Sequence, residues 1–242
     1  QPRSRGLGDV YKRQGFHSHF FKMSKSYLEC LLPRIVVFVA TCWEFRAIQR
    51  VMSGGRSAKI SGVRQYMAHW PHLSVTLVQT GVGLERTRTV CLNIFSEKRF
   101  DLAISSGFAG ALVPTRIGAL ALPEIVIRGA DDTTRLSKLS SFSCSMQYQE
   151  IVRRIVADAK FQFISTPLLT VPWIVCTAME KRVLAQQFRA GALDMESAGI
   201  AEMAQECNIP FFVVRTVSDL VNENLLNDFN LFLSCLLYTS DA

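Results

Sequence analysis

Three carboxylates in this sequence stand directly after apolar runs, the places where an α/β chain tends to do chemistry. Asp219 follows FFVVRTV (residues 211–217), with Ser218 between the run and the acid. A carboxyl at the rim of a dry pocket has its neutral form favoured by desolvation, which suits a general acid. The same position equally suits a turn or helix-capping aspartate. Glu196 follows a short apolar run and Met195, at the start of a helical pattern. The helix dipole alone favours a carboxylate there. It is also placed to accept two sugar hydroxyls, with Met195 offering the sugar an apolar, polarisable face. Glu44 closes T-C-W-E after the first apolar run, where it reads as a first-turn helix acid or as a base. An acid and a base facing each other form the arrangement for glycoside hydrolysis, one protonating the leaving group and the other activating water. Arg215, inside its apolar run, needs a carboxylate partner if buried. Asp194 and Glu196 are the candidates, and a structural ion pair is its expected role.

The elements that position these groups follow from periodicity. Residues 35–41 (IVVFVAT) form a continuous apolar run, as in a strand buried on both faces. Helical spacing follows over 43–52 and stops at Gly54-Gly55. Residues 73–79 read as a strand ending in the turn Thr80-Gly81-Val82-Gly83, which leads into a helix to about 99. A strand at 101–105 is expected to close in the glycine turn 106–110, which includes Phe108, Ala109 and Gly110. Residues 120–127 read as an edge strand holding Pro123, and 131–146 as a polar, Ser-rich loop or insertion. Helices are expected at 148–159, 178–188, 196–207 and from about Asn227; strands at 168–171, 191–195 and 211–217. Alternating strands and helices predict an α/β fold of three layers, α/β/α, around a central, mainly parallel but mixed and twisted sheet. Ligands of such sheets gather beyond the carboxyl ends of the strands. The polar groups at 41–44, 105–110, 194–196 and 218–219 all fall there.

With 242 residues, 49% hydrophobic and 19% charged, the chain can bury one full domain core. The net charge of +7 invites a nucleic-acid reading, but seven of the Lys and Arg lie within residues 1–34 against only Asp9 and Glu29. A basic leader is not a basic face, so no nucleic-acid partner is expected. The seven cysteines are odd in number and scattered, without C-x-x-C, which favours a reducing compartment, the cytoplasm, over a disulfide framework. His17, His19, His69 and His72 have no nearby acidic or cysteine partner in the sequence, so no metal site is expected. No run reaches the roughly 18 apolar residues of a membrane span. Residues 1–22 and 234–242 fit no period and no cap, and read as a non-native leader and tail around one domain over 23–233 that stops short at its C-terminus.

Taken together, DMES at 194–197 and VVRTVSD at 213–219 resemble the nucleoside phosphorylase and nucleosidase family. The likeness runs from about Ile35 to Phe229. It is nearest the hydrolytic branch of methylthioadenosine/S-adenosylhomocysteine nucleosidases, and the DMES and GFAG forms look like its hopanoid-associated members. The resemblance implies a nucleoside phosphorylase-like fold and hydrolysis of the N-glycosidic bond of a 5′-substituted purine (adenine) nucleoside, with no cofactor. It implies Asp219 as the acid that protonates the purine N7, with Ser218 beside it orienting the base. Glu196 would take the ribose hydroxyls and Met195 pack on the sugar. By ungapped spacing, Trp173 falls at the aromatic that stacks on the purine, Phe229 at the apolar residue closing the pocket, and Glu44 at the water-activating base. Phe108 stands where many nucleosidases carry a small polar residue, which alters the sugar side. Trp43 replaces an acidic neighbour of the base. The G-D-P-x-R phosphate-binding leader of phosphorylases is absent, which favours water over phosphate, with a phosphorylase or a non-catalytic nucleoside-binding relative as the alternatives. A small-molecule nucleoside as substrate and a homodimer as assembly also follow from the resemblance.

Overall fold

The computed structural model describes residues 32–129 and 138–225, and those from Pro33 onward belong to one compact unit. The leader, the tail, the helix expected from Asn227 and Phe229 lie outside the described residues.

Strand β1 (Arg34–Val39) lies at the centre, parallel to β4 (Leu73–Gln79) on one side and to β5 (Leu102–Ala111) on the other. Its residues alternate between two cores, as a pleated strand requires. Val36 and Phe38 face the core that holds Leu84, Val90, Cys91 and Ile94 of α2 (Leu84–Glu97). Val37 and Val39 face the core that holds Phe45 and Ile48 of α1 (Cys42–Val51).

The same alternation holds further along the sheet. Leu168 of β10 (Leu168–Thr170) and Ala192 of β11 (Ala192–Asp194) pack with Ile200 and Met203 of α5 (Ser197–Glu206). Their neighbours Leu169 and Leu193 pack with Leu184 and Phe188 of α4 (Ala178–Phe188). Helices therefore cover both faces of the sheet, the three-layer α/β/α architecture expected.

Twelve strands among the described residues join one mixed sheet. From one edge, β2 (Arg56–Ile60), β3 (Val63–Trp70), β4, β1, β5, β11, β10, β7 (Ile125–Gly129) and β8 (Lys138–Ser143) follow in order. The strand β12 (Phe211–Asp219) lies parallel to β5, and β6 (Leu120–Ala121) and β9 (Phe163–Ile164) extend that side. The remaining helix, α3 (Met146–Asp158), places Tyr148 and Val152 against the α2–α5 core.

Three expectations about elements are corrected, and one hairpin is added to them. Residues 106–110 are not a turn: they continue β5, because β12 pairs with Ser106–Ala109 residue by residue. The stretch 120–127 is two strands, β6 and β7, since Pro123 has no amide to carry a ladder through. Within 131–146, residues 138–143 are not loop but strand β8, antiparallel to β7, while 130–137 lie outside the described residues. The hairpin β2–β3 was not expected; it turns on Ser61 and Gly62, with φ of 50° and 79°. Two successive positive φ values are the tight hairpin turn whose twist matches its strands.

Candidate active site

Glu44 enters the site through the start of α1. Thr41 caps that helix, accepting the Glu44 amide on Oγ1 at 3.2 Å, while Glu44 Oε2 accepts the Thr41 amide at 2.7 Å. This is a reciprocal capping box, whose signature T-x-x-E spans Thr41 to Glu44. Oε2 also accepts the Ala40 amide at 3.0 Å and the Thr41 hydroxyl at 3.0 Å. The helix-acid role is thus filled by one oxygen. The other, Oε1, crosses to β5 and accepts the Phe108 amide at 2.8 Å. That crossing depends on Gly107, whose φ is +136° and whose added Cβ would lie 2.3 Å from Glu44 Oε1. No L-residue with a side chain fits both conditions.

Glu196 precedes α5, yet its side chain does not cap that helix. Asp194 does so instead, accepting the Ser197 amide on Oδ2 at 3.1 Å, and Thr170 Oγ1 accepts the Ala198 amide at 3.0 Å. Glu196 is free to reach across the sheet. Its Oε1 accepts the Gly83 amide, at the N-terminus of α2, at 3.0 Å, and its Oε2 lies 3.6 Å from Arg215. Burial pushes its carboxyl up to about 7; Arg215 and the Gly83 amide oppose the rise, and Asp194 and Glu44 add to it.

Arg215 is the hub of this network and only 1% exposed. Its guanidinium pairs with Asp194 at 2.9 Å and donates to Ser105 Oγ at 2.9 Å, Ser197 Oγ at 3.3 Å and the Phe108 carbonyl at 3.3 Å. Both carboxylate partners named from sequence are its partners here, Asp194 the nearer. Burial alone would lower its pKa; Asp194, Glu196 and Glu44 outweigh burial and raise it further. The arginine therefore stays charged and balances the carboxylates around it.

Asp219 ends β12, where the pairing to β5 slips by one residue between Val217 and Asp219. The bulge leaves Ser218 exposed and sets Asp219 opposite Gly110. A Cβ on Gly110 would stand 3.0 Å from Asp219 Oδ2, so the glycine lets the carboxylate lie close against the strand. Ser218 Oγ donates to Asp219 Oδ1 at 2.8 Å, and it lies 3.3 Å from the carbonyl of Ala109.

One segment of β5 thus collects the site. Phe108 meets Glu44 and Arg215, Ala109 meets Ser218, and Gly110 lies against Asp219. The Phe108 side chain is 48% exposed, an apolar wall on the rim. Met195 is half-buried beside Glu196. Trp173 packs on the edge of the α4 core and donates Nε1–H to Glu180 Oε1 at 2.8 Å. Through Glu180 it is tied to α4, whose next residue reaches Asp219.

That residue, Lys181, was missed from sequence. It is fully buried and pairs with Asp219 Oδ2. Its signal is its place in α4: Ala178, Lys181, Leu184 and Phe188 share the buried stripe, so a lysine sits where spacing requires an apolar side chain. Gly83 and Gly107 were also missed as partners of the carboxylates, although both lie in glycine-bearing segments read as turns.

The chain is 24% identical over 199 residues to the 5′-methylthioadenosine/S-adenosylhomocysteine nucleosidase of Buchnera aphidicola, covering 77% of this chain and 83% of that protein. It is 24% identical over 202 residues to the Staphylococcus epidermidis nucleosidase of the same name, covering 74% and 83%. A crystal structure of the Helicobacter pylori nucleosidase superposes with a TM-score of 0.74 at 19% identity, covering 86% of this chain and 94% of that one. The futalosine hydrolase of the same organism gives 0.74 at 17%, covering 87% and 93%. The description "phosphorylase superfamily" matches residues 34–234, and the chain belongs to that superfamily.

Proposed function

We propose that this protein is a purine nucleosidase that hydrolyses the N-glycosidic bond of adenine nucleosides carrying a 5′ substituent. The nucleosidase names of its relatives support the general reaction. In the proposed step, the C1′–N9 bond breaks and its electrons pass to the purine. Asp219 gives its proton to N7, so the base leaves neutral. Water bonds to C1′ and Glu44 takes its proton, which completes the ribose hydroxyl. Glu196 accepts the ribose hydroxyls, Met195 packs on the sugar, Trp173 stacks on the base, and Ser218 orients it. Phe108 walls the 5′ side.

The observation that carries the reading is the division of labour within the two sugar-side carboxylates. Each divides its two oxygens between two elements: Glu44 Oε2 accepts the Ala40 and Thr41 amides while Oε1 accepts the Phe108 amide of β5 at 2.8 Å, and Glu196 Oε1 accepts the Gly83 amide while Oε2 lies 3.6 Å from Arg215 of β12. Free adenine measured from 5′-methylthioadenosine, with Asp219→Asn and Glu44→Gln as controls, tests the assignment. Undiminished release by Asp219→Asn rejects the acid. The proposal extends to a cytoplasmic homodimer, supported by free cysteines at 42, 91, 144, 176 and 207 and by the resemblance; light scattering checks the assembly.

A further inference from the structure

A buried lysine in the first turn of a helix is out of place twice over. Burial penalises its charge, and the positive end of the helix dipole repels it. Lys181 nevertheless is 0% exposed and lies in the first turn of α4, its own amide bonded to the Thr177 carbonyl at 3.1 Å. Its ammonium has three N–H donors, and three acceptors meet them: Asp219 Oδ2, the Leu220 carbonyl at 2.8 Å and the Glu223 carbonyl at 3.2 Å. The two carbonyls need only a neutral donor. The one partner that requires a cation is Asp219.

The surroundings brace this contact. Ala178 N donates to Asn224 Oδ1 at 2.8 Å and Leu225 N to the Cys176 carbonyl at 2.8 Å, so residues 220–225 are fastened to the start of α4. The Glu223 carboxylate is turned away to the Leu220 amide at 3.2 Å. Glu180, the preceding residue, holds Trp173. One helical turn therefore grips both the base-stacking aromatic and the acid.

Resting on the reading of Asp219 as the acid, we infer that Lys181 is its positioning residue. With Oδ2 occupied by the ammonium, the transferable proton resides on Oδ1, the oxygen beside Ser218. When that proton passes to the purine N7, the carboxylate left behind is neutralised by Lys181, with no rearrangement of the site. The lysine's contribution exists only where the leaving group needs a proton.

Two substrates separate this role from a merely structural one. 5′-Methylthioadenosine needs protonation of its base; the p-nitrophenyl riboside with the same 5′ group does not, because nitrophenolate leaves unaided. In Lys181→Met, kcat on the nucleoside is expected to fall about 10- to 100-fold, part of the usual range for general acid catalysis. KM should stay within about threefold and turnover of the nitrophenyl riboside should fall less than about threefold. Lys181→Arg, which keeps the charge, should recover most of the loss. In an Asp219→Asn background, adding Lys181→Met should change kcat less than about twofold, because the lysine acts through the acid.

Equal losses on both substrates, an unchanged kcat on the nucleoside, or a further independent loss in the Asp219→Asn background would each overturn the inference. The double variant also guards against misfolding of Lys181→Met, since it leaves no unpaired buried charge. Wild-type protein that releases neither adenine nor nitrophenolate would overturn the underlying reading of the site as well, whereas active wild type with an indifferent Lys181→Met overturns this inference alone.

Discussion

Glu44 does two jobs at once, and a single substitution separates them. Glutamine at the third helical position still completes a capping box with Thr41, so Glu44→Gln should keep its thermal midpoint within a few degrees of wild type. It cannot take a proton from water, and base release should fall at least about 100-fold. Matching losses of stability and activity would return Glu44 to a helix acid alone. Glu196 makes a pH prediction. Its folded pKa near 7 lies above the ordinary carboxylate value of 4.5 because burial disfavours the charge. The stability this proton contributes is fully present below about 4.5 and is lost as pH rises through 7. Binding runs the other way, since two ribose hydroxyls need the ionised acceptor. The kcat/KM profile should therefore fall below pH 7, with a limb that Glu196→Gln abolishes while lowering the plateau. At this scale the sequence was informative about placement: Asp219, Glu196 and Glu44 stand at or just beyond the ends of β12, β11 and β1, as the apolar runs before them imply, and Arg215 pairs with both carboxylates named for it. Lys181 was not, because a helix-interior lysine reads as solvated unless its place on the buried stripe is counted.

At the scale of elements, β5 matters most, and its second half was misread. Glycines at 107 and 110 read as a turn because a strand rarely carries two in four residues. In the structure they serve close approach: Gly107 admits Glu44 and Gly110 admits Asp219. Gly107→Ala should cost about 2 kcal/mol or more, because the residue has φ of +136° and its Cβ meets Glu44 Oε1. Chemical denaturation measures the cost, and base release should collapse with it. Gly62→Ala, also at positive φ but with open space around it, should cost only about 1 kcal/mol and leave base release intact. The hairpin built on Gly62 was missed although Ser61-Gly62 carries a turn signal, because β2 and β3 lack a clean apolar alternation, and β8 because its serines outweigh its pairing with β7. Periodicity located β1, β4, β10, β11, β12 and the five helices among the described residues to within a few residues, since those segments bury continuous stripes or runs.

At the scale of the whole molecule, helices on both faces of the sheet leave the polar groups nowhere to gather but at the rim, where the parallel strands end. That follows from alternation along β1, β10 and β11, and it was legible from the order of strands and helices alone. Among the described residues, no helix is long and apolar enough to cross a membrane. The nature of the nucleophile belongs to this scale too, because superfamily membership by itself is compatible with phosphate or water. The most direct measurement is the initial rate of adenine release from 5′-methylthioadenosine in phosphate-free buffer and again with added phosphate. The proposed mechanism predicts full rate without phosphate, free 5-methylthioribose as the second product and no sugar phosphate. Release that requires phosphate and yields a ribose 1-phosphate would contradict it.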